Sequence, residues 1–145
     1  MMIRLNLIIA LCCLIVVGCA NKKQVVALPE NSLNGTWELN YISGPRIAFE
    51  GLYKDKKPTL IFDTDKKRMM GNTSCNSLNG ALLVDGNKID FKGPIATTKM
   101  FCPGEGEQLF LESLKKINTY SVADGNTLTF MMGDVAMMRF KKINQ

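Results

Sequence analysis

Hydrophobic and polar positions divide the chain into three stretches. From Leu7 to Val17 the residues are apolar almost without interruption and present no polar face, unlike an amphipathic core helix. The run is too short to cross a bilayer, which takes about 20 apolar residues. It follows a short start carrying Arg4, the layout of a signal-peptide core, and residues 1–18 are assigned to one. Residues 20–32 (ANKKQVVALPENS) have no sustained period, hold Pro29 and read as a tether. Alternation begins beyond it.

Trp37, Leu39 and Tyr41 alternate with Thr36, Glu38 and Asn40, the period of a half-buried strand facing inward at the odd positions. Leu60 and Phe62 mark a second strand, closed by turn residues from Asp63 to Asp65. Three hairpins follow from turn chemistry. Asp85-Gly86 joins 82–84 to 89–91, Asp124-Gly125-Asn126 joins 120–122 to 127–131, and Gly133-Asp134 joins that strand to 135–140. Short strands at this spacing predict an antiparallel sheet, closed or nearly closed into a barrel. One stretch keeps a helical period instead. Phe110, Leu114 and Ile117, with Leu111 beside them, predict one amphipathic helix over about 103–118. Pro103 suits its first position, Glu105 and Glu107 its positive end, and Lys115-Lys116 its negative end. The fold class is α+β, β-dominated: a barrel-like antiparallel sheet with one helix packed on it.

The end of the apolar run is more informative than its hydrophobicity. Val16-Val17-Gly18-Cys19 is similar to a bacterial lipobox, in which small residues precede a cysteine that is lipidated and becomes the new N-terminus. Each buried methylene contributes roughly 0.8 kcal/mol, so several acyl chains on Cys19 would anchor the protein almost permanently. The alternative is an ordinary signal peptide that happens to contain a cysteine. Ala20 follows, without the aspartate that would suggest retention at an inner membrane, which favours the outer membrane of a bacterial envelope. The expected organisation is therefore signal 1–18, lipidated tether 19–32 and one domain over 33–143.

Charge adds little. The chain carries 18 Lys and Arg against 13 Asp and Glu, a formal charge of +5. The lysines lie in separate small clusters and read as solvated surface, with some attraction to an anionic membrane. No nucleic-acid-binding motif is present, so the expected partners are the membrane, through the lipid, and an envelope protein.

Candidate chemistry is limited by composition. Without any histidine the chain has no histidine-based triad, no Cys–His pair and no imidazole ligand. It is expected to be no enzyme and to need no cofactor. Of five cysteines, Cys12 and Cys13 leave with the signal and Cys19 takes lipid, so Cys75 and Cys102 remain. An even remainder in an oxidising compartment favours a disulfide, worth roughly 3 kcal/mol in the chain-entropy view. Two buried thiols, or a reactive or metal-binding pair, are the alternatives. Nine methionines raise a soft-metal reading, Cu(I) or Ag(I), in which Met131 and Met137 form an outward cross-strand pair. Core and surface packing is the simpler use of them. The hexapeptide Gly71–Asn76 (GNTSCN) reads as a turn at a strand end, with Asn76 satisfying local backbone groups.

Several blocks together resemble the META domain family of HslJ-like heat-shock lipoproteins. They are Leu33-Asn34-Gly35-Thr36-Trp37, Pro58–Asp63, Gly71 with Cys75-Asn76 and Asn79-Gly80, and Ile95–Cys102 with Thr98 and Met100. Glu107, Phe110, Leu114 and the closing strands complete the order. The family usually has a second glycine before the cysteine, where this chain has Ser74. The resemblance implies a small antiparallel barrel-like sheet with one helix and a paired Cys75 and Cys102. It also implies a cell-envelope protein without established enzymatic activity, connected to stress response, antibiotic tolerance or secretion. Gly71, Asn76, Asn79, Gly80, Thr98 and Met100 would be structural motif residues.

Overall fold

The computed structural model describes residues 32–144. The signal assignment, Cys19 and all but the last residue of the tether lie outside the described residues. Ten strands form one antiparallel sheet: β1 (Gly35–Ile42), β2 (Thr59–Asp63), β3 (Arg68–Asn72), β4 (Ser77–Ala81), β5 (Leu83–Asp85), β6 (Lys88–Asp90), β7 (Ile95–Thr97), β8 (Thr119–Ala123), β9 (Thr127–Met132) and β10 (Val135–Ile143). Their order is β5-β6-β8-β9-β10-β1-β2-β3-β4-β7, so β10 joins two meanders by pairing with β1. The sheet curls into a half-barrel whose free edges are β5 and β7, open rather than closed.

The three expected hairpins form at the expected turns. Gly86 and Gly133 take positive φ at the first turn position, and Asp124 and Gly125 do so in the longer loop. Here the local turn chemistry and the register agree. β3, β4 and β7 escaped the periodicity reading. Glycines at 71 and 80 and polar residues between them interrupt any alternation. A single helical turn, α1 (Phe49–Leu52), was likewise not signalled.

Two bulges change the expected phase of side chains. In β1 the register against β10 shifts between Leu39 and Tyr41. Leu39 is buried, but Tyr41 then turns outward, 41% exposed, and Ile42 takes the inward position. The expectation that Tyr41 faces the core is thereby corrected: one extra residue inverts every later side chain. In β10 the shift falls between Ala136 and Met138. Met137 is the unpaired residue of that bulge and packs against the core, while Met131 faces Ala136. The expected Met131–Met137 cross-strand pair does not form.

The helix α2 (Gly106–Leu114) is shorter than the expected 103–118. Pro103 lies outside it, and Glu105 occupies the N-cap position. Beyond Leu114 the backbone tightens, with Lys116 and Ile117 N–H donating to the carbonyls of Ser113 and Leu114. Lys115 is therefore the C-cap residue, and neither lysine lies in the last helical turn. The helix buries Phe110 and Leu114 in the same core as the sheet's inner face. At the centre of that core Phe130 meets Phe62, Phe91 and Phe140 at ring-centroid separations of 6.2, 5.2 and 5.1 Å. Trp37 is fully buried and its indole N–H donates to the Leu33 carbonyl at 2.8 Å, so its one polar atom is satisfied.

Candidate functional site

The GNTSCN stretch supplies one wall of a polar cluster. Asn72 pairs with Ser77 across the β3–β4 turn, leaving Thr73, Ser74, Cys75 and Asn76 as the connection. Ser74 takes φ 87°, a conformation that favours glycine. Gly71 just before it passes so close to β2 that an added Cβ would lie 2.0 Å from the Thr59 carbonyl oxygen. Backbone approach, rather than turn flexibility, is what position 71 requires.

Asn76 is the hub. Its Oδ1 accepts from the Thr98 hydroxyl at 2.7 Å and the Met100 N–H at 2.8 Å. Its Nδ2 reaches the Met100 carbonyl at 3.1 Å, Glu107 Oε2 at 3.1 Å and Cys102 Sγ at 3.0 Å. The amide has two hydrogens, and sulfur is the weakest of the three acceptors, so the carbonyl and carboxylate take them. Asn76 was expected to serve local backbone. Its own backbone does bond Thr73, but its side chain fastens residues 22 to 31 positions away.

Glu107 closes the cluster from the first turn of α2. Its Oε1 accepts from the Thr73 hydroxyl at 2.6 Å while Oε2 takes Asn76 Nδ2. This tie between the β3–β4 turn and the helix was missed in the sequence, where Glu107 passed for a helix-dipole charge. Its place among the family-like blocks was the available signal. The Sγ atoms of Cys75 and Cys102 stand 2.08 Å apart beside the cluster, at disulfide distance. The other motif positions divide. Thr98 joins the cluster and also accepts from the Ser77 N–H at 3.1 Å. Gly80 lies under Pro94, whose carbonyl oxygen would be 3.3 Å from an added Cβ. Asn79 is exposed on β4, opposite Met70 and Ala96, and takes no part.

A hydroxyl hydrogen-bonded to a carboxylate, as in Thr73–Glu107, is the raw material of an activated nucleophile. Thr73 has no exposed surface, so no substrate reaches it. The pair holds structure instead. Above it the segment Met100-Phe101 projects outward, Met100 61% and Phe101 92% exposed. Nearby, the Tyr53 hydroxyl donates to the Gly106 carbonyl at 2.9 Å, and burial pushes its pKa up to about 12. Among the described residues no group of three or more His, Cys, Asp or Glu could hold a metal. No helix among them is long and apolar enough to cross a membrane.

A curled antiparallel half-barrel, with α2 tied to a strand turn through buried Asn76 and the segment before α2 meeting that turn at the Cys75–Cys102 pair, defines a small β-dominated domain class. The chain belongs to the META domain family, whose model matches residues 30–145. Among solved structures it is similar to a protein from Burkholderia xenovorans determined by NMR. The identity there is 19%, covering 82% of this chain and 90% of that one, with a TM-score of 0.61. It is also similar to a DUF4847 family protein from Bacteroides vulgatus, at 17% identity over 80% and 97% of the two chains and a TM-score of 0.55. These likenesses establish fold. A search of curated proteins finds no match.

Proposed function

We propose that this META protein is a lipid-anchored, non-enzymatic component of the bacterial cell envelope, serving as a binding or stress-response module through contact with another envelope protein. Lipid on Cys19 would hold it at the membrane, with Ala20 favouring the outer one. The observation that carries the contact reading is Phe101. It is 92% exposed, yet its neighbours Met100 and Cys102 are fastened to buried Asn76 and to Cys75. An aromatic presented on a pre-ordered backbone loses little freedom on binding, which is the property of an interface anchor. The lack of histidine and the seclusion of Thr73 support a role without catalysis.

The test is a photoreactive amino acid at position 101 of the full protein in its native membrane. A defined protein adduct is expected there and not from the same probe at Asp134 in the β9–β10 turn. Adducts from both positions alike, or from neither, would refute the contact. Cys19→Ala should leave the membrane fraction, and its retention there would refute the anchor.

A further inference from the structure

A groove that shares no residue with the polar cluster lies between the β2–β3 turn, the β5–β6 hairpin and the start of β8. Its volume is about 900 Å³, within the usual range for small-molecule clefts. The floor belongs to the core. Leu82, Ile89, Ile117 and Tyr120 line it, and each is 5% exposed or less. Val84 stands directly opposite Ile89 in the hairpin, so both point to the inner face of the sheet, yet Val84 is 39% exposed. Among the described residues, the inner face therefore runs on into a stretch that is left uncovered. Helix α2 ends at Leu114, which does not line the groove.

Charge at the rim is nearly balanced, and the imbalance has an address. Lys67, Lys88 and Lys92 line the groove against Asp85 and Asp90, one cation in excess. Lys88 faces Asp85 in the hairpin register, and Asp90 Oδ1 accepts the Lys92 N–H at 2.7 Å. Lys67 has no such neighbour in the lining. In its own turn Asp63 is engaged by Lys66 at 3.1 Å, and Asp65 does not line the groove. The backbone of Lys67 is fixed in place. It takes φ 50°, uncommon for a residue with a side chain, and its carbonyl accepts the Leu82 N–H at 2.9 Å. The lysine is thus held beside Leu82, where the apolar floor begins.

We propose that this groove binds a long-chain monocarboxylate, a fatty acid, with its hydrocarbon tail on the floor beside Val84 and its carboxylate at Lys67. An apolar floor with one uncompensated cation matches an apolar tail with one negative charge. Burial of the tail against Val84 takes apolar surface of both partners out of water, which drives the binding. A peptide added as a strand would fit less well, because β5 offers only three residues for backbone pairing. The groove uses neither Asn76 nor Phe101, so this binding stands apart from the contact proposed above.

The experiment photolyses a diazirine-bearing palmitate with the full protein in its native membrane and maps the adducts by mass spectrometry. Adducts are expected within residues 82–89 and 117–120, and excess palmitate should displace them. Lys67→Glu, at an exposed turn position, should lower that labelling about tenfold. The matching diazirine alcohol, which lacks the charge, should label the parent about tenfold less than the acid does. Adducts found only outside the groove, or not displaced by palmitate, would overturn the proposal. So would equal labelling by acid and alcohol, or labelling that Lys67→Glu leaves unchanged.

Discussion

The two ends of the core are held together by different physics. Around Phe130 the contacts are aromatic and aliphatic, drawn from β2, β9, β10 and the residue after β6, and no direction is imposed on them beyond ring packing. Around Asn76 the contacts are hydrogen bonds from one amide to two separate segments, the stretch Thr98–Met100 and the start of α2, closed by the cysteine pair. The first kind of contact degrades by degrees, since neighbouring side chains relax into part of a void. The second fails sharply, because each group left without its partner is buried and unpaired. The aromatic end supplies apolar burial, and the polar end supplies a defined geometry for the segment carrying Phe101.

Substitutions can separate the two. Phe130→Ala should cost the most, about 4 kcal/mol from lost burial and a cavity, read as a fall in the urea midpoint. Asn76→Ala should cost less, roughly 2–3 kcal/mol. It should also speed amide exchange at Met100, a local loosening that the phenylalanine change would not produce at matched stability. Equal exchange at Met100 in the two variants would erase the distinction.

Tyr53 adds a pH-dependent version of the same contrast. Its folded-state pKa lies above the ordinary tyrosine value because burial disfavours the phenolate. The folded state thus keeps a proton that the unfolded state loses, and stability falls as pH rises from about 10 towards about 12. Tyr53→Phe should cost about 1 kcal/mol at neutral pH by leaving the Gly106 carbonyl without its donor. It should also flatten that alkaline decline relative to the parent. An unchanged slope in urea titrations at several pH values would show that another group governs it. The smallest effect runs the other way. Ser74→Gly relieves the positive φ and should raise stability by about 0.5–1 kcal/mol, after the greater freedom of unfolded glycine is counted. A loss of stability would mean that the serine side chain is needed in the turn.

Legibility in the sequence followed the range of the interactions. The hairpins at Gly86, Gly125 and Gly133 were readable because turn conformation is decided within four residues. The helix was readable from Phe110, Leu114 and Ile117, but its ends were not, since Pro103 and Lys115-Lys116 fit several boundaries equally well. Tyr41 and Met137 defeated the alternation because a bulge is a property of two paired strands and leaves no mark on one. Counting thiols favoured a Cys75–Cys102 bridge without deciding it, the family resemblance supported it, and the two Sγ atoms stand at disulfide distance. Asn76–Glu107 was not legible, because it joins an ordinary turn residue to an ordinary helix-start residue 31 positions later.

The place of β10 has a consequence for how the protein is made. The last strand lies between β9 and β1, at the centre of the sheet, and Thr36 pairs with Ile143. Until the final strand is available the chain can build only two separate half-sheets, each with an unsatisfied edge. Contacts of such long sequence separation slow folding and hold back its cooperative step until β10 has been made.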